Sequence, residues 1–139
     1  MTNETKTLNE ANLTALPAEL LPPQYDRSRL KPRIVHVGVG GFHRSHEAFY
    51  TDELLRADES CDWGICGVGL RPGDEKIASI LKEQDYLYTL IIRHPNGTIE
   101  NRVIGSIIDF LMGCDDPESV IKQMASPDTR IVSLTITEG

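Results

Sequence analysis

The chain predicts an α/β fold: part of a doubly wound parallel sheet with an antiparallel hairpin inserted in it. Two apolar runs without polar alternation, Arg33–Val39 and Trp63–Leu70, read as strands covered on both faces. Segments of helical period separate the strand-like runs, the order that crossovers between parallel strands require. Asn96-Gly97 marks a tight hairpin between Tyr86–Arg93 and Thr98–Gly105.

Residues 1–32 hold Pro17, Pro22, Pro23 and Pro32 and little periodicity, so they read as an extended N-terminal arm with one helical turn around Ala15–Leu21. Residues 33–139 form the domain proper. Its first strand runs through a glycine turn into a helix over Phe42–Ala57, which offers Phe42, Phe49, Leu54 and Leu55 for burial. Arg71-Pro72-Gly73 ends the second strand. Asp74 then stands where it can cap a helix over Glu75–Gln84, along which Ile77, Ile80 and Leu81 recur at helical spacing. Asp85 reads as a local cap or surface group. A third helix over Asp116–Met124 carries Pro117 in its first turn and turns Val120, Ile121 and Met124 inward. Arg130–Thr137 is the last β-rich run, stopping at Glu138-Gly139.

A length of 139 residues suits one domain. The net charge of −7 leaves no basic surplus to neutralise nucleic-acid phosphates or to hold an anionic membrane. No apolar run approaches the length of a bilayer span. The opening Met1–Lys6 is polar with no apolar segment behind it, which predicts no secretory signal. The three cysteines, Cys61, Cys66 and Cys114, are odd in number and lack a CxxC pair, so the expected compartment is a reducing cytoplasm. The Asn-x-Thr triplets at Asn3, Asn12 and Asn96 then read as chance matches.

The chemistry concentrates in Gly38-Val39-Gly40-Gly41-Phe42-His43-Arg44. Glycines at a strand-to-helix turn let the backbone lie against a bulky phosphate, and the helix aims unpaired N–H groups at the same place. This is the Rossmann GxGxxG arrangement, a holder of dinucleotide pyrophosphate, with one departure. Gly38 and Gly40 supply the first two glycines, but His43 stands at the third. A histidine there implies a shifted helix, or a side chain aimed at the ligand. Arg44 is either a cation for the pyrophosphate or a solvated residue of the first turn. His43 and His46 share a helix face and are weak candidates for metal ligands, since no further cysteine or histidine completes a set. Asp74 is the candidate acceptor for the adenosine ribose hydroxyls, an arrangement that repels a 2′-phosphate and favours NAD. Arg71 pulls the other way, towards NADP.

These residues resemble the polyol-specific long-chain dehydrogenases, the family of the mannitol dehydrogenases and of the fructuronate and altronate reductases. The likeness is carried by Ile34–His46, Asp62–Leu70, Gln84–Leu90, Val103–Ile107 and Ile131–Gly139. It implies a zinc-independent enzyme that interconverts mannitol and fructose by hydride exchange with NAD, its small-molecule partners being a polyol and a ketose. It also implies that the cofactor lies against Gly38–Arg44 and that Asp74 is the acidic residue after the second strand, with Pro72-Gly73 where some members carry a second acid. The family's catalytic lysine, asparagine and histidine lie in a C-terminal half that this sequence does not contain, and none of Lys6, Lys31, Lys76, Lys82 or Lys122 matches that motif. The expectation is therefore a cofactor-binding part that is inactive alone. The alternatives are a nucleotide-binding or interaction module without chemistry, and an inactive fragment.

Overall fold

In the computed structural model, which describes residues 5–137, two sheets share the chain. The Asn3 triplet and Glu138-Gly139 lie outside the described residues. The strands are β1 (Leu20–Leu21), β2 (Lys31–Val37), β3 (Trp63–Gly69), β4 (Tyr88–Arg93), β5 (Ile99–Ile104), β6 (Ile107–Met112) and β7 (Ile131–Leu134). The helices are α1 (Gly41–Ser45), α2 (Glu47–Ala57), α3 (Glu75–Glu83) and α4 (Pro117–Ala125). A parallel sheet runs β6-β3-β2-β7, and a smaller mixed sheet runs β1-β5-β4.

Alternation along β2 sorts the two sides of the parallel sheet. Ile34 joins Ala48, Ile65, Leu81, Ile104 and Ile107 in one core, beneath α2 and α3. Val35 turns the other way and packs with Cys66, Val68 and Val120 beneath α4. A sheet covered on both faces has no room for polar alternation, which is why β3 reads as an unbroken apolar run and β2 as one interrupted only by His36 between Ile34 and Val37. Chain order places the first strand, β2, centrally: the crossovers through α2 and α3 extend the sheet one way, and the crossover through α4 returns to its other side. The boundary between β2 and β7 is therefore a topological switch point.

Several elements depart from the sequence expectation. The single helix over Phe42–Ala57 is two, broken at His46, whose φ of −123° and ψ of −91° are not helical. Phe42 and Leu54, expected to be buried, are exposed, whereas Leu55 is buried and Phe49 packs against the core. Ile80 and Ile121 also face outward, because α3 and α4 each cover the sheet with a narrow stripe, Ile77 with Leu81 and Val120 with Met124. The strand β6 follows β5 after two residues, in a stretch between the hairpin and the third helix for which the sequence predicted no element. No strong turn signal marks its start. Tertiary contacts make the corner instead: Gly105 N–H donates to Asp52 Oδ1 (3.0 Å), and Ser106 Oγ–H donates to the Ala48 carbonyl (2.6 Å).

The arm departs too. Glu10–Ala15 forms a 3-10 helix, and Leu20–Leu21, expected in a helical turn, pair in parallel with Asn101-Arg102 of β5. Charge holds the arm down. Buried Asp52 accepts from Tyr25 Oη–H and from Arg56 Nε (2.6 Å), while Arg56 also donates to the Pro22 and Val103 carbonyls, each at 2.9 Å. Arg27 donates to the carbonyls of Gly105 (2.9 Å), Ile107 (2.8 Å) and Asp85 (2.8 Å). Asp85, read as a local cap, accepts from the Glu10 N–H across the sequence (3.0 Å). The hairpin turn is as expected, with Gly97 at φ +86°. Among the described residues no helix is long and apolar enough to cross a membrane.

Candidate functional site

Open α/β sheets bind ligands outside the carboxyl ends of their strands, at the switch point. A crevice of about 440 Å³ opens there, between the segment after β2 and the end of β7, lined among others by His36, Phe42, Glu47, Ser133 and Thr135. A second hollow, of about 420 Å³, lies under the N-terminal arm beside Leu8, Leu16, Pro17 and Leu20. No residue of the parallel sheet lines it, and Lys6 is the one titratable group on its lining.

The turn is built as its glycines demand. Gly38 has φ +99°, a conformation that a side chain strains, and its N–H donates to the Val68 carbonyl (3.0 Å). Gly40 N–H closes back onto the Gly38 carbonyl (2.9 Å). At Gly40 and Gly41 an added Cβ would meet nothing within 4 Å, so the space over the turn is open. Among the described residues no acceptor meets the N–H groups of Gly41, Phe42 and His43, the first residues of α1. Three unpaired amides beside open space suit an anion. Helix α1 has only five residues, so its aligned dipole is short and the local N–H groups carry the attraction.

Side chains around the turn divide by direction. Val39 is buried and leans over Gly67, where an added Cβ would lie 2.6 Å from Val39 Cγ2. Phe42 is exposed at the crevice and stacks on His46, with ring centroids 4.2 Å apart. Arg44 stays beside the turn: its Nε donates to the Gly40 carbonyl (3.3 Å), and its guanidinium lies 5.9 Å from the Tyr88 ring centroid. Asp74 sits at the start of α3, but its carboxylate reaches backwards. Oδ2 accepts from the N–H groups of Leu70 and Arg71, both at 3.0 Å, rather than capping α3. The acid is thereby fixed at the carboxyl end of β3.

His43 turns inward. It is 1% exposed, its ring stacks on His36 at 3.7 Å with an interplanar angle of 11°, and neither ring nitrogen has a hydrogen-bond partner among the described residues. The position implied a shifted helix or a side chain aimed at the ligand; the ring is turned inward instead, and the helix breaks three residues later, at His46. Burial, reinforced by His36 and only partly offset by Glu47, pushes its pKa down to about 4. Glu47 lies 3.2 Å from His36 Nδ1 and 3.5 Å from His43 Nδ1, and the hydrogen bond from His36 holds its carboxyl below the usual range. His36, His43 and Glu47 are thus the set that converges, not His43 with His46. Two parallel stacked rings cannot both aim an in-plane lone pair at one ion, so the set is poorly shaped for a metal.

Sequence reasoning named the turn but missed the polar floor of the crevice: His36, Glu47, Ser133 and Thr135. A signal was present. His36 interrupts an otherwise apolar buried run, and Ser133 and Thr135 alternate with Val132 and Leu134, which puts both hydroxyls on one side of β7.

Comparison with known proteins agrees with this geometry. The family model described as the mannitol dehydrogenase Rossmann domain matches residues 32–139. The chain is 53% identical over 117 residues to a mannitol 2-dehydrogenase of Pyricularia oryzae, covering 84% of this chain and 23% of the relative. It is 52% identical over 137 residues to the Aspergillus niger mannitol 2-dehydrogenase, covering 95% and 28%. Among solved structures, the Pseudomonas fluorescens mannitol 2-dehydrogenase in ternary complex with NAD and D-mannitol superposes with a TM-score of 0.91 at 50% identity, over 96% of this chain and 27% of that one. A substrate-free D-sorbitol dehydrogenase superposes with a TM-score of 0.88 at 44% identity, over 96% and 28%. The chain spans about a quarter of the length of these relatives. A glycine turn with free amides at the switch point of a Rossmann-type sheet, and family likeness across that whole sheet, lead to one conclusion: the chain belongs to the mannitol dehydrogenase family, as its Rossmann domain.

Proposed function

We propose that the crevice binds NAD and that this domain is the cofactor-holding part of a polyol dehydrogenase that interconverts D-mannitol and D-fructose. The observation that carries the reading is the set of three unpaired amides, Gly41 to His43, facing the open space over Gly40. In this reading Gly38, Gly40 and Gly41 give the diphosphate its close approach, and Val39 and Phe42 wall the turn. His43 contributes its N–H rather than its ring, and Arg44 adds a guanidinium beside the phosphates. The free Oδ1 of Asp74 accepts from the adenosine ribose, which favours NAD over NADP. Bound NAD supplies the hydride acceptor, and the residues of this chain orient it. No lysine of this domain is assigned as the general base. The Pseudomonas fluorescens relative, solved with NAD and D-mannitol bound, supports both ligands. The unpaired cysteines suit a cytoplasmic setting; burial pushes the Cys66 thiol up to about 12, which leaves it unreactive.

The test has two parts. NADH titrated into the chain should raise its melting temperature, with NADPH less effective. Grafted in place of the matching segment of the Pseudomonas fluorescens enzyme, the chain should support NAD-dependent oxidation of mannitol. No stabilisation by either coenzyme, together with a folded but inactive graft, defeats the proposal.

A further inference from the structure

We infer that His36 is a positioning residue for the coenzyme turn, tying the segment after β2 to the end of β7 and to α2. The inference rests on the coenzyme reading of the crevice and assigns the turn's support. His36 is 4% exposed and sits opposite Ser133 in the parallel register of β2 and β7. Its Nε2 lies 2.9 Å from Thr135 Oγ1 and 3.2 Å from the Gly38 carbonyl oxygen. Its Nδ1 lies 2.8 Å from Ser133 Oγ and 3.2 Å from Glu47 Oε1.

The donors and acceptors order themselves. Ser133 Oγ–H donates to Glu47 Oε1 (3.0 Å), so the proton on His36 Nδ1 is shared between the Ser133 oxygen and that carboxylate. Nε2 faces the Thr135 hydroxyl, which can donate or accept, and the Gly38 carbonyl, which only accepts. The polar contacts run in one line, from Thr135 through His36 and Ser133 to Glu47, and end on a carboxylate. Chains of this kind polarise and strengthen one another in a buried setting. The His43 ring stacked 3.7 Å behind fixes the plane of the imidazole.

Thr135 carries this order into the turn. A Cβ added at Gly38 would lie 3.4 Å from Thr135 Cβ, and Thr135 N–H donates to the Val37 carbonyl (3.0 Å). The hydroxyl that orients on His36 therefore belongs to the residue against which Gly38 rests. With the imidazole in place, the free amides of Gly41 to His43 keep a fixed distance from the β7 wall of the crevice. Without it, Thr135 rotates and the turn loses that reference.

Five chains compared for NADH affinity test this: wild type, His36→Leu, Thr135→Val, the double variant, and His36→Gln as the conservative replacement. The two single variants should each weaken binding by on the order of tenfold, the loss of one hydrogen bond's free energy. The double variant should bind no worse than about threefold below the weaker single one, because both changes break the same chain. His36→Gln, whose amide can donate and accept, should recover most of the affinity. Hydrogen exchange of the Gly40 amide should quicken in His36→Leu, while amides in the middle of β3 keep their protection. Unchanged NADH affinity in His36→Leu overturns the inference. So do multiplying losses in the double variant, or loss of β3 protection with no recovery by His36→Gln, which mark a general structural role. If the wild type itself fails to bind NADH, the coenzyme reading falls instead, and the Gly40 exchange rate still decides whether His36 holds the turn.

Discussion

Gly40→Val separates the candidate site from the fold. Gly40 has φ −102° and ψ −170°, extended backbone that any residue adopts, and a Cβ there meets nothing within 4 Å. Valine should therefore leave stability within about 0.5 kcal/mol of wild type. The same side chain fills the space in front of the Gly41, Phe42 and His43 amides. A charge-assisted hydrogen bond contributes about 1.5–3 kcal/mol, so barring the diphosphate from two of the three amides removes about 3–6 kcal/mol, or ~10²- to 10⁴-fold in affinity. The assay is thermal melting with and without NADH. At a coenzyme concentration near 100 times Kd the wild type gains about 2.7 kcal/mol, a rise of roughly 8–10 °C for a domain of this size. The variant should melt at the wild-type temperature without NADH and rise by no more than about 2 °C with it. A Gly40→Val chain that keeps both its melting point and its NADH shift would falsify the site assignment.

Other changes probe single interactions. Asp74→Asn preserves an acceptor for the Leu70 and Arg71 N–H groups while removing the charge, so the preference for NADH over NADPH should fall by about tenfold with little change in stability. An unchanged ratio points to a different adenosine contact. Asp52→Ala leaves Arg56 without its buried carboxylate and unlatches Tyr25 and Gly105, at a cost of about 3–5 kcal/mol in urea unfolding, and should expose the arm to limited proteolysis. His43 sets a pH dependence. Its folded pKa of about 4 lies below the unfolded value near 6.5, so the unfolded chain binds the extra proton between those limits. Stability should be full above about pH 6.5 and fall, by up to roughly 3 kcal/mol, as the pH drops towards 4. Glu47, with its carboxyl held low, adds a further loss only at more acid pH, below its ordinary value near 4.5. A His43→Phe chain should lose the slope between pH 4 and 6.5, and an unchanged slope would assign it to another group.

Much of this protein is written locally. The sheet core is legible because β2 and β3 are buried on both faces and carry apolar runs, broken in the buried part of β2 only by His36, and the Asn96-Gly97 turn is legible because its conformation needs glycine. The glycine turn after β2 is equally local, since Gly38 must hold φ +99° whatever surrounds it. Other features required the assembled molecule. Strand β6 begins at a corner that only Asp52, Ala48 and Arg27, distant in sequence, hold in place. The arm's two-residue strand has too few residues to declare itself and exists because β5 offers an edge. The inward turn of His43 follows from His36 lying beneath it on the neighbouring strand, and the crevice floor joins residues nearly a hundred positions apart. Backbone conformation and burial pattern depend on neighbours within a few residues, so the sequence alone determined strands β2 and β3, the hairpin and the glycine turn. Pairings between buried polar groups depend on which distant segments meet, and only the tertiary structure decided those.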